Sequence, residues 1–167
     1  MIKILLDSVG VNIVSENFDF FQEKKDKCEF YISPTVLEEF TNMNSIDYDK
    51  LKEKTIEEQN DYILKRIKKH EKFIVLLIQL SKLTPKFLLD SVLIANHSRV
   101  GCACLGDGIV YKTILKETKG NVNDAIIADT AVNNDCYLLT GDDTLYKKMT
   151  ANNYKVLNIE DCKKLLA

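Results

Sequence analysis

The stretch that decides the fold is NDAIIADTAVNNDCYLLTGDD, residues 123–143. Asn123 is a favourable N-cap residue, and Asp124 follows it in a first helical turn, where a carboxylate suits the helix dipole. The small and aliphatic residues at 125–132 predict a helix that packs close to a sheet. The short apolar run at 136–140 predicts a buried strand.

Carboxylates follow that strand in the sequence Gly141-Asp142-Asp143. One acid therefore lies where a helix begins, and two others lie where the next strand ends. In an open parallel sheet the functional crevice lies outside the carboxyl ends of the strands. The rest of the chain is of interest for any further acids that it delivers to that edge.

The amino-terminal part of the chain contains two more acids that are expected at this edge. The apolar run at 2–6 predicts a central strand, which Asp7 ends, and a helix is expected over 9–25. A second strand is expected at 28–32. Ser33-Pro34 then has the residue types of an N-cap and a first helical position, so a helix carrying Glu39 should start there.

The middle of the chain is less regular. The run at 73–80 fits either a strand or a buried helix, and we favour a third strand because Thr84-Pro85 predicts a helix over 84–99. Asp107 is expected to cap a helix at 108–119. The alternation of strands and helices predicts an α/β fold with a parallel sheet in a single domain, 1–167, within which 41–122 forms a helical insertion or lid. A short strand at 155–157 and a terminal helix capped by Asn158 complete the prediction.

The composition is that of an ordinary globular protein. The chain has 167 residues, 46% of them hydrophobic, and a formal net charge of −2, which neither indicates nor excludes nucleic-acid binding. No apolar run is long enough to cross a membrane. The odd number of cysteines without a framework spacing predicts reduced thiols and a cytoplasmic protein; they are Cys28, Cys102, Cys104, Cys136 and Cys162.

Four acids are expected to meet at one edge of the sheet; they are Asp7, Glu39, Asp124 and Asp142. Four carboxylates close together repel each other, so they must either bind protons or hold cations. Mg²⁺ and Mn²⁺ suit such oxygen ligands and commonly bind substrate phosphate as well. Ions of this kind activate water and stabilise the leaving oxygen of a phosphodiester. The pattern therefore favours metal-dependent phosphodiester hydrolysis.

The chain resembles the PIN-domain nucleases in four segments, which agree in order and cover about half of its length. They are LLDS at 5–8, ISPTVLEEF at 32–40, DAIIADTA at 124–131 and LLTGDD at 138–143. The resemblance implies a PIN-like three-layer α/β fold with helices on both faces of the sheet. It implies an endoribonuclease that leaves 5′-phosphate and 3′-hydroxyl ends. Many bacterial and archaeal members are toxins of toxin–antitoxin pairs, so an antitoxin partner and a homodimer are further expectations.

The resemblance also implies roles for single residues. Asp7, Glu39, Asp124 and Asp142 would be the catalytic acids, and all but Glu39 would be metal ligands. Ser8 and Thr140 would support them. The resemblance favours Glu39 over its neighbour Glu38, and Asp142 over Asp143.

Other side chains have competing interpretations. Asp143 would cap the helix that follows Asp142, and Asp129, five residues from Asp124, is expected to be a surface or partner residue. A basic run could contact RNA or a partner, or could simply be a solvated helix face; it comprises Lys65, Arg66, Lys68 and Lys69. A zinc site at His97, Cys102 and Cys104 is disfavoured by its spacing and by the lack of a second cysteine pair.

Two other functions were weighed. The first is a catalytically weak or inactive PIN-fold module that binds RNA or protein, against which the full set of acids argues. The second is a phosphoacceptor receiver domain, but Ser8 and Val9 follow Asp7 where a receiver has paired acids. The chain contains no Walker-type loop, no GxGxxG motif and no Ser-His-Asp pattern.

Overall fold

The computed structural model describes residues 1–42, 52, 54–92, 107–117 and 121–167. In this part of the chain the strands are β1 (Ile2–Leu6), β2 (Cys28–Ile32), β3 (Lys86–Phe87), β4 (Tyr137–Leu139) and β5 (Val156–Leu157). The helices are α1 (Ser8–Glu16), α2 (Phe18–Glu23), α3 (Pro34–Asn42), α4 (Ile56–Ser81), α5 (Ile109–Glu117), α6 (Val122–Asn133), α7 (Asp143–Ala151) and α8 (Ile159–Leu166).

The five strands form one sheet in the order β3-β2-β1-β4-β5, and every neighbouring pair is parallel. β1 lies at the centre, where Ile4 pairs with Phe30 of β2 and with Tyr137 of β4. Ile4, Leu5 and Leu6 are all fully buried, so both faces of β1 are covered. By the right-handed rule for parallel crossovers, the connections β1-β2-β3 run along one face of the sheet, and the connection β4-β5, which runs in the opposite direction, covers the other. The predicted three-layer α/β fold with a central parallel sheet is confirmed.

The run at 73–80 is helical, so the predicted third strand at this position is wrong. It is the last part of α4, a 26-residue helix that starts at a capping box formed by Thr55 and Glu58 and packs on α1. Phe73, Leu76 and Leu80 face the core, whereas Ile74, Val75 and Ile78 are exposed. Because both faces of this helix are apolar here, the sequence loses the period that separates a helix from a buried strand.

The predicted helix at 84–99 is also wrong over its described part. Thr84 has a positive φ of 48°, and the chain then forms the short edge strand β3, in which Lys86 pairs with Tyr31 of β2. Residues 93–99 of the prediction lie outside the described residues. Strand pairing at the edge of the sheet therefore outweighs the local tendency of a Thr-Pro pair to start a helix.

The helix predicted at 9–25 is divided in two at Asn17. Asn17 ends α1, and its side-chain amide donates to the Ile13 carbonyl oxygen at 2.9 Å. An Asn that bonds the backbone in this way competes with continuation of the helix. The strand and helix predicted after residue 154 are confirmed, including Asn158 as the cap of α8.

The described part of residues 41–122 contributes to the main domain. β3 extends the sheet beside β2, and α5 packs against α6. Asp107 bonds the backbone N–H of Ile109 at the start of α5, close to its predicted capping role. Whether this region acts as a lid stays a prediction. No helix in the described parts of the chain is long and apolar enough to cross a membrane.

Candidate active site

The site lies where the direction of the strand connections reverses. From β1 the chain passes to β2 on one side, whereas from β4 it passes to β5 on the other, and β1 and β4 are neighbours. The carboxyl ends of two such strands border a crevice, which is the usual ligand site of open α/β sheets. Asp7 directly follows β1, and Asp142 follows β4 after Thr140 and Gly141.

A pocket of about 450 Å³ opens at this point. All four acids predicted to meet at this edge line it, together with Ser8 and the amides of two asparagines; its lining is Asp7, Ser8, Val9, Glu39, Asn121, Asn123, Asp124, Ile127 and Asp142. Glu39 comes from α3, and Asp124 comes from the first turn of α6, which packs against α3. The structure therefore brings together side chains that are up to 135 positions apart, from Asp7 to Asp142.

Asp7 is the most deeply buried of the four, with 5% of its surface exposed. Its side chain caps α1, since Oδ1 accepts a hydrogen bond from the Gly10 backbone N–H, and the Thr140 hydroxyl also bonds to it. The pKa of Asp7 is raised from 3.8 to about 6. Burial is the main cause, the charges of Glu39 and Asp142 also raise the pKa, and the hydrogen bonds from Thr140 and Gly10 lower it. The charged form of this carboxyl is thus disfavoured unless a cation compensates it.

Gly10 explains why α1 can approach the end of β4 so closely. A Cβ atom at this position would collide with the backbone carbonyl oxygen of Leu139. The Asp7 backbone N–H also reaches the Leu139 oxygen, at 3.4 Å. The absence of a side chain at this position therefore allows the first turn of α1 to pack directly on the end of β4.

Asp142, and not Asp143, caps α7, so the prediction that Asp143 is this cap is wrong. Asp142 Oδ1 accepts from the backbone N–H groups of Thr144 at 2.7 Å and Leu145 at 3.0 Å. Asp143 is the exposed first residue of α7 and does not line the pocket. Asp142 faces the pocket while it caps the helix, because only one of its oxygens is used by the cap.

Thr140 links the two strand-end acids. Its side chain is fully buried, its oxygen accepts from the Asp142 backbone N–H at 2.9 Å, and its hydroxyl bonds to Asp7. One hydroxyl therefore fixes the turn after β4 and a carboxylate after β1. The predicted supporting position of Thr140 has a clear geometric basis.

Two asparagines hold the other two acids. The Asn123 side-chain amide donates to Glu39 Oε1 at 3.0 Å, and the Asn121 amide donates to Asp124 Oδ2 at 2.6 Å. Asn121 also caps α6, so the prediction that Asn123 is this cap is wrong by two residues. Both residue types suit a cap, and the backbone at 121 is the one that is extended.

Each acid is therefore held through at least one oxygen by a donor of its own chain. In the described part of the chain the second oxygens of Glu39, Asp124 and Asp142 make no hydrogen bond. The protein fixes the orientation of the carboxylates without using up their capacity to bind a ligand. The donors thus stand where groups that orient the ligands of a metal ion are expected, and the carboxylates stand where the ligands are expected.

The pocket has a strongly negative field. The pKa of Asp124 is raised from 3.8 to about 7, mainly by burial and also by the charges of Asp142, Glu39 and Asp7, against a lowering effect of Lys148 on α7. Lys148 was not singled out in the sequence, because a lysine six residues after Asp142 looks like any surface cation. Its positive charge favours the ionised form of Asp124 and so lowers the pKa of that acid.

The donor set suits a hydrated divalent ion better than a closed cage. Within residues 1–42, 52, 54–92, 107–117 and 121–167, no three His, Cys, Asp or Glu side chains are arranged to hold an ion by themselves. Mg²⁺ usually keeps several waters and binds through one or two carboxylates plus substrate phosphate. A pocket of about 450 Å³ has room for such an ion with its water, and oxygen is its preferred ligand.

Asp129 is not the surface residue that we expected from its position. It is fully buried on α6 and accepts hydrogen bonds from the Ser91 hydroxyl, the Tyr111 backbone N–H and the Asn133 amide. It thereby ties the segment after β3 and the start of α5 to α6. Its role in the described structure is to hold these elements together, away from the pocket.

The other candidate residues are placed but not assigned a function by the structure. Lys65 and Lys68 are exposed on α4, while the side chains of Arg66 and Lys69 lie outside the described set. RNA contact by this run stays a prediction. The three residues of the disfavoured zinc site lie outside the described residues. Three free cysteines are buried; they are Cys28, Cys136 and Cys162.

Comparison with known proteins gives likeness of fold. No family model and no curated protein matches the chain. Among solved structures, PAE2754 from Pyrobaculum aerophilum is similar with a TM-score of 0.56 and 15% identity, over 99% of this chain and 96% of that one. A domain of a functionally unknown protein from Methanocaldococcus jannaschii DSM 2661 has a TM-score of 0.49 and 18% identity, over 95% and 91% of the two chains. At 15% identity the likeness to PAE2754 shows the fold alone.

Proposed function

We propose that this protein is a Mg²⁺- or Mn²⁺-dependent phosphodiesterase that hydrolyses RNA internally. The observation that carries the proposal is the set of four carboxylates around one pocket, each oriented through at least one oxygen by a donor of the chain itself. Carboxylates this close together repel each other and must bind protons or hold cations, so the cluster suits a cationic ligand. Its place at the strand ends is where α/β proteins bind their ligands.

The proposed roles combine the resemblance to PIN-domain nucleases with the arrangement of the pocket. Asp7, Asp124 and Asp142 would hold the metal, which supplies activated water and charge stabilisation for phosphoryl chemistry when it is bound. Glu39 Oε2, the oxygen that Asn123 does not use, is free to accept a proton from water. Hydrolysis would break the bond between phosphorus and the 3′ oxygen, and would leave a 5′-phosphate and a 3′-hydroxyl.

RNA as the substrate, an antitoxin as partner, a homodimer and a cytoplasmic location come from the resemblance to PIN-domain nucleases. They are parts of the same proposal with separate tests. Induced expression of the wild-type chain should arrest growth if it is a toxin, whereas Asp7→Asn should not. Light scattering of the purified protein reports the oligomeric state.

The test of the main proposal is cleavage of a mixed RNA pool in Mn²⁺ or Mg²⁺, with EDTA and the double variant Asp7→Asn/Asp124→Asn beside it. We expect metal-dependent cleavage that the double variant loses, while Asp143→Asn, which changes an exposed acid outside the pocket, keeps it. Cleavage that survives in the double variant would assign the activity to another site or to a contaminant. End-labelling of the fragments distinguishes 5′-phosphate from 5′-hydroxyl products.

One observation favours the alternative, a catalytically weak or inactive module that binds RNA or protein. The described residues hold no closed set of three metal ligands. Calorimetric titration with Mn²⁺ separates the two functions. Binding that Asp7→Asn/Asp124→Asn abolishes supports the enzyme, and the lack of binding together with retained RNA affinity supports the module.

A further inference from the structure

Glu39 is held by an asparagine from a neighbouring helix. Asn123 is half-buried in the first turn of α6, and its amide donates to Glu39 Oε1 on α3 at 3.0 Å. The two residues are 84 positions apart in the chain, and the bond crosses the contact between the two helices. Both side chains line the pocket.

A glutamate on a helix needs such a partner to hold one orientation. Its side chain has three rotatable bonds, and the neighbouring carboxylates of the pocket repel it. Among the four acids, Asp7 and Asp142 are fixed by backbone N–H groups of the helices that they cap. Glu39 lies in the second turn of its helix, where backbone donors are already used, so a side-chain donor must take their place.

We propose that Asn123 is a positioning residue that holds Glu39 toward the cation site, an inference that rests on the proposed function. By donating to Oε1 it leaves Oε2 free to accept a hydrogen bond from water of a hydrated Mn²⁺ ion in the pocket, so that loss of this orientation would weaken binding of the ion although Glu39 is not itself a ligand. It also places the positive end of an amide dipole among four negative charges. The asparagine is therefore part of the site and has no capping role in α6, since Asn121 provides the cap.

The experiment is a double-mutant cycle on Mn²⁺ binding, measured by calorimetry for the wild type, Asn123→Ala, Glu39→Ala and the double variant. We expect Asn123→Ala to weaken Mn²⁺ binding about tenfold, the effect typical of removing a group that orients a metal site. In the Glu39→Ala background the same change should have less than about a twofold effect, because the group that it orients is gone. Asn123→Gln, which keeps an amide donor, should recover part of the loss.

Asn134→Ala is the matched control. Asn134 is a half-buried asparagine at the other end of α6, where its amide donates to the Thr130 carbonyl oxygen at 2.8 Å. We expect this variant to lose some thermal stability and to keep wild-type Mn²⁺ affinity. Thermal unfolding in EDTA, run on all variants, shows how much of each effect is a loss of stability of the fold.

The outcomes separate this inference from the proposed function. Wild-type Mn²⁺ binding with unchanged affinity in Asn123→Ala overturns the inference alone. An equal loss in the presence and absence of Glu39 also overturns it, because Asn123 would then act through something else. If the wild type binds no Mn²⁺, the proposed function fails and this inference fails with it.

Discussion

Replacement of Asp7 by Asn should stabilise the metal-free protein at alkaline pH. The carboxyl of Asp7 is 5% exposed, and its pKa is raised from 3.8 to about 6, mainly by burial. Asparagine has nearly the same shape and keeps an oxygen that accepts from the Gly10 N–H, so the cap of α1 is retained. What the substitution removes is a buried negative charge.

The sign and size follow from the pKa. Because the folded-state pKa lies above the unfolded value, the native state binds this proton more tightly, and stability falls as the pH rises from about 4 to about 6. The rise from 3.8 to about 6 corresponds to about 3 kcal/mol, at ~1.36 kcal/mol per pKa unit. Asp7→Asn should therefore add up to about 3 kcal/mol to the free energy of unfolding at about pH 8, and under about 1 kcal/mol at about pH 4.

The assay is urea unfolding in EDTA, followed by circular dichroism at both pH values. Asp143→Asn is the control, since it removes an exposed acid outside the pocket and should change stability by less than about 1 kcal/mol at either pH. Saturating Mn²⁺ should stabilise the wild type and leave Asp7→Asn almost unchanged. An Asp7→Asn variant that is no more stable than the wild type at about pH 8 would refute the reasoning.

Four further substitutions test other parts of the structure. Gly10→Ala forces a methyl group against a backbone oxygen and should lower the free energy of unfolding by about 2 kcal/mol or more, measured with urea; a neutral result would mean that α1 can shift. Thr140→Val keeps the shape but removes the hydroxyl that links two acids, so Mn²⁺ affinity should fall about tenfold by calorimetry, and unchanged affinity would contradict this link. Lys148→Met removes a charge that lowers the pKa of Asp124, so the pH at half-maximal Mn²⁺ binding should rise, and a fall or no change would mean that the charge does not reach the site. Asp129→Asn weakens a fully buried set of hydrogen bonds and should cost about 2–3 kcal/mol of unfolding free energy with Mn²⁺ affinity unchanged; weaker binding would place this acid in the site.

The edge of the sheet that carries the acids could be predicted from the sequence because each acid there follows a strong local signal. Asp7 comes directly after a fully apolar strand, and Asp142 comes after a short buried one. Glu39 follows Ser33-Pro34 at a fixed helical distance. Parallel strands then bring the three to one edge without any knowledge of the packing.

The hydrogen bonds that hold these acids could not be predicted, because their partners are remote or ambiguous. Asn121 and Asn123 are equally good caps by residue type, and only the backbone conformation at 121 decides between them. The adjacent aspartates at 142 and 143 are also equally good caps by residue type, and the backbone shows that Asp142 is the cap.

The burial of polar side chains is another feature that could not be predicted from the sequence. Asp129 does turn away from the pocket, as its spacing from Asp124 predicts, but it turns toward Ser91 and not toward water. A carboxylate with donors from two other elements is of a residue type common on surfaces but has the environment of a core residue. The pattern of a single sequence contains no signal for such partners.

The position of β1 beside β4 has a consequence for synthesis of the chain. The centre of the sheet pairs Ile4 with Tyr137, so β1 leaves the ribosome long before its partner strand β4 has been made. Until then β1 has an unpaired edge, and Asp7 and Glu39 are present without Asp124 and Asp142. The pocket is thus completed only when the long-range strand pair forms, a slow step because it must close a loop of more than a hundred residues. The nascent chain is therefore without the site that the finished domain carries.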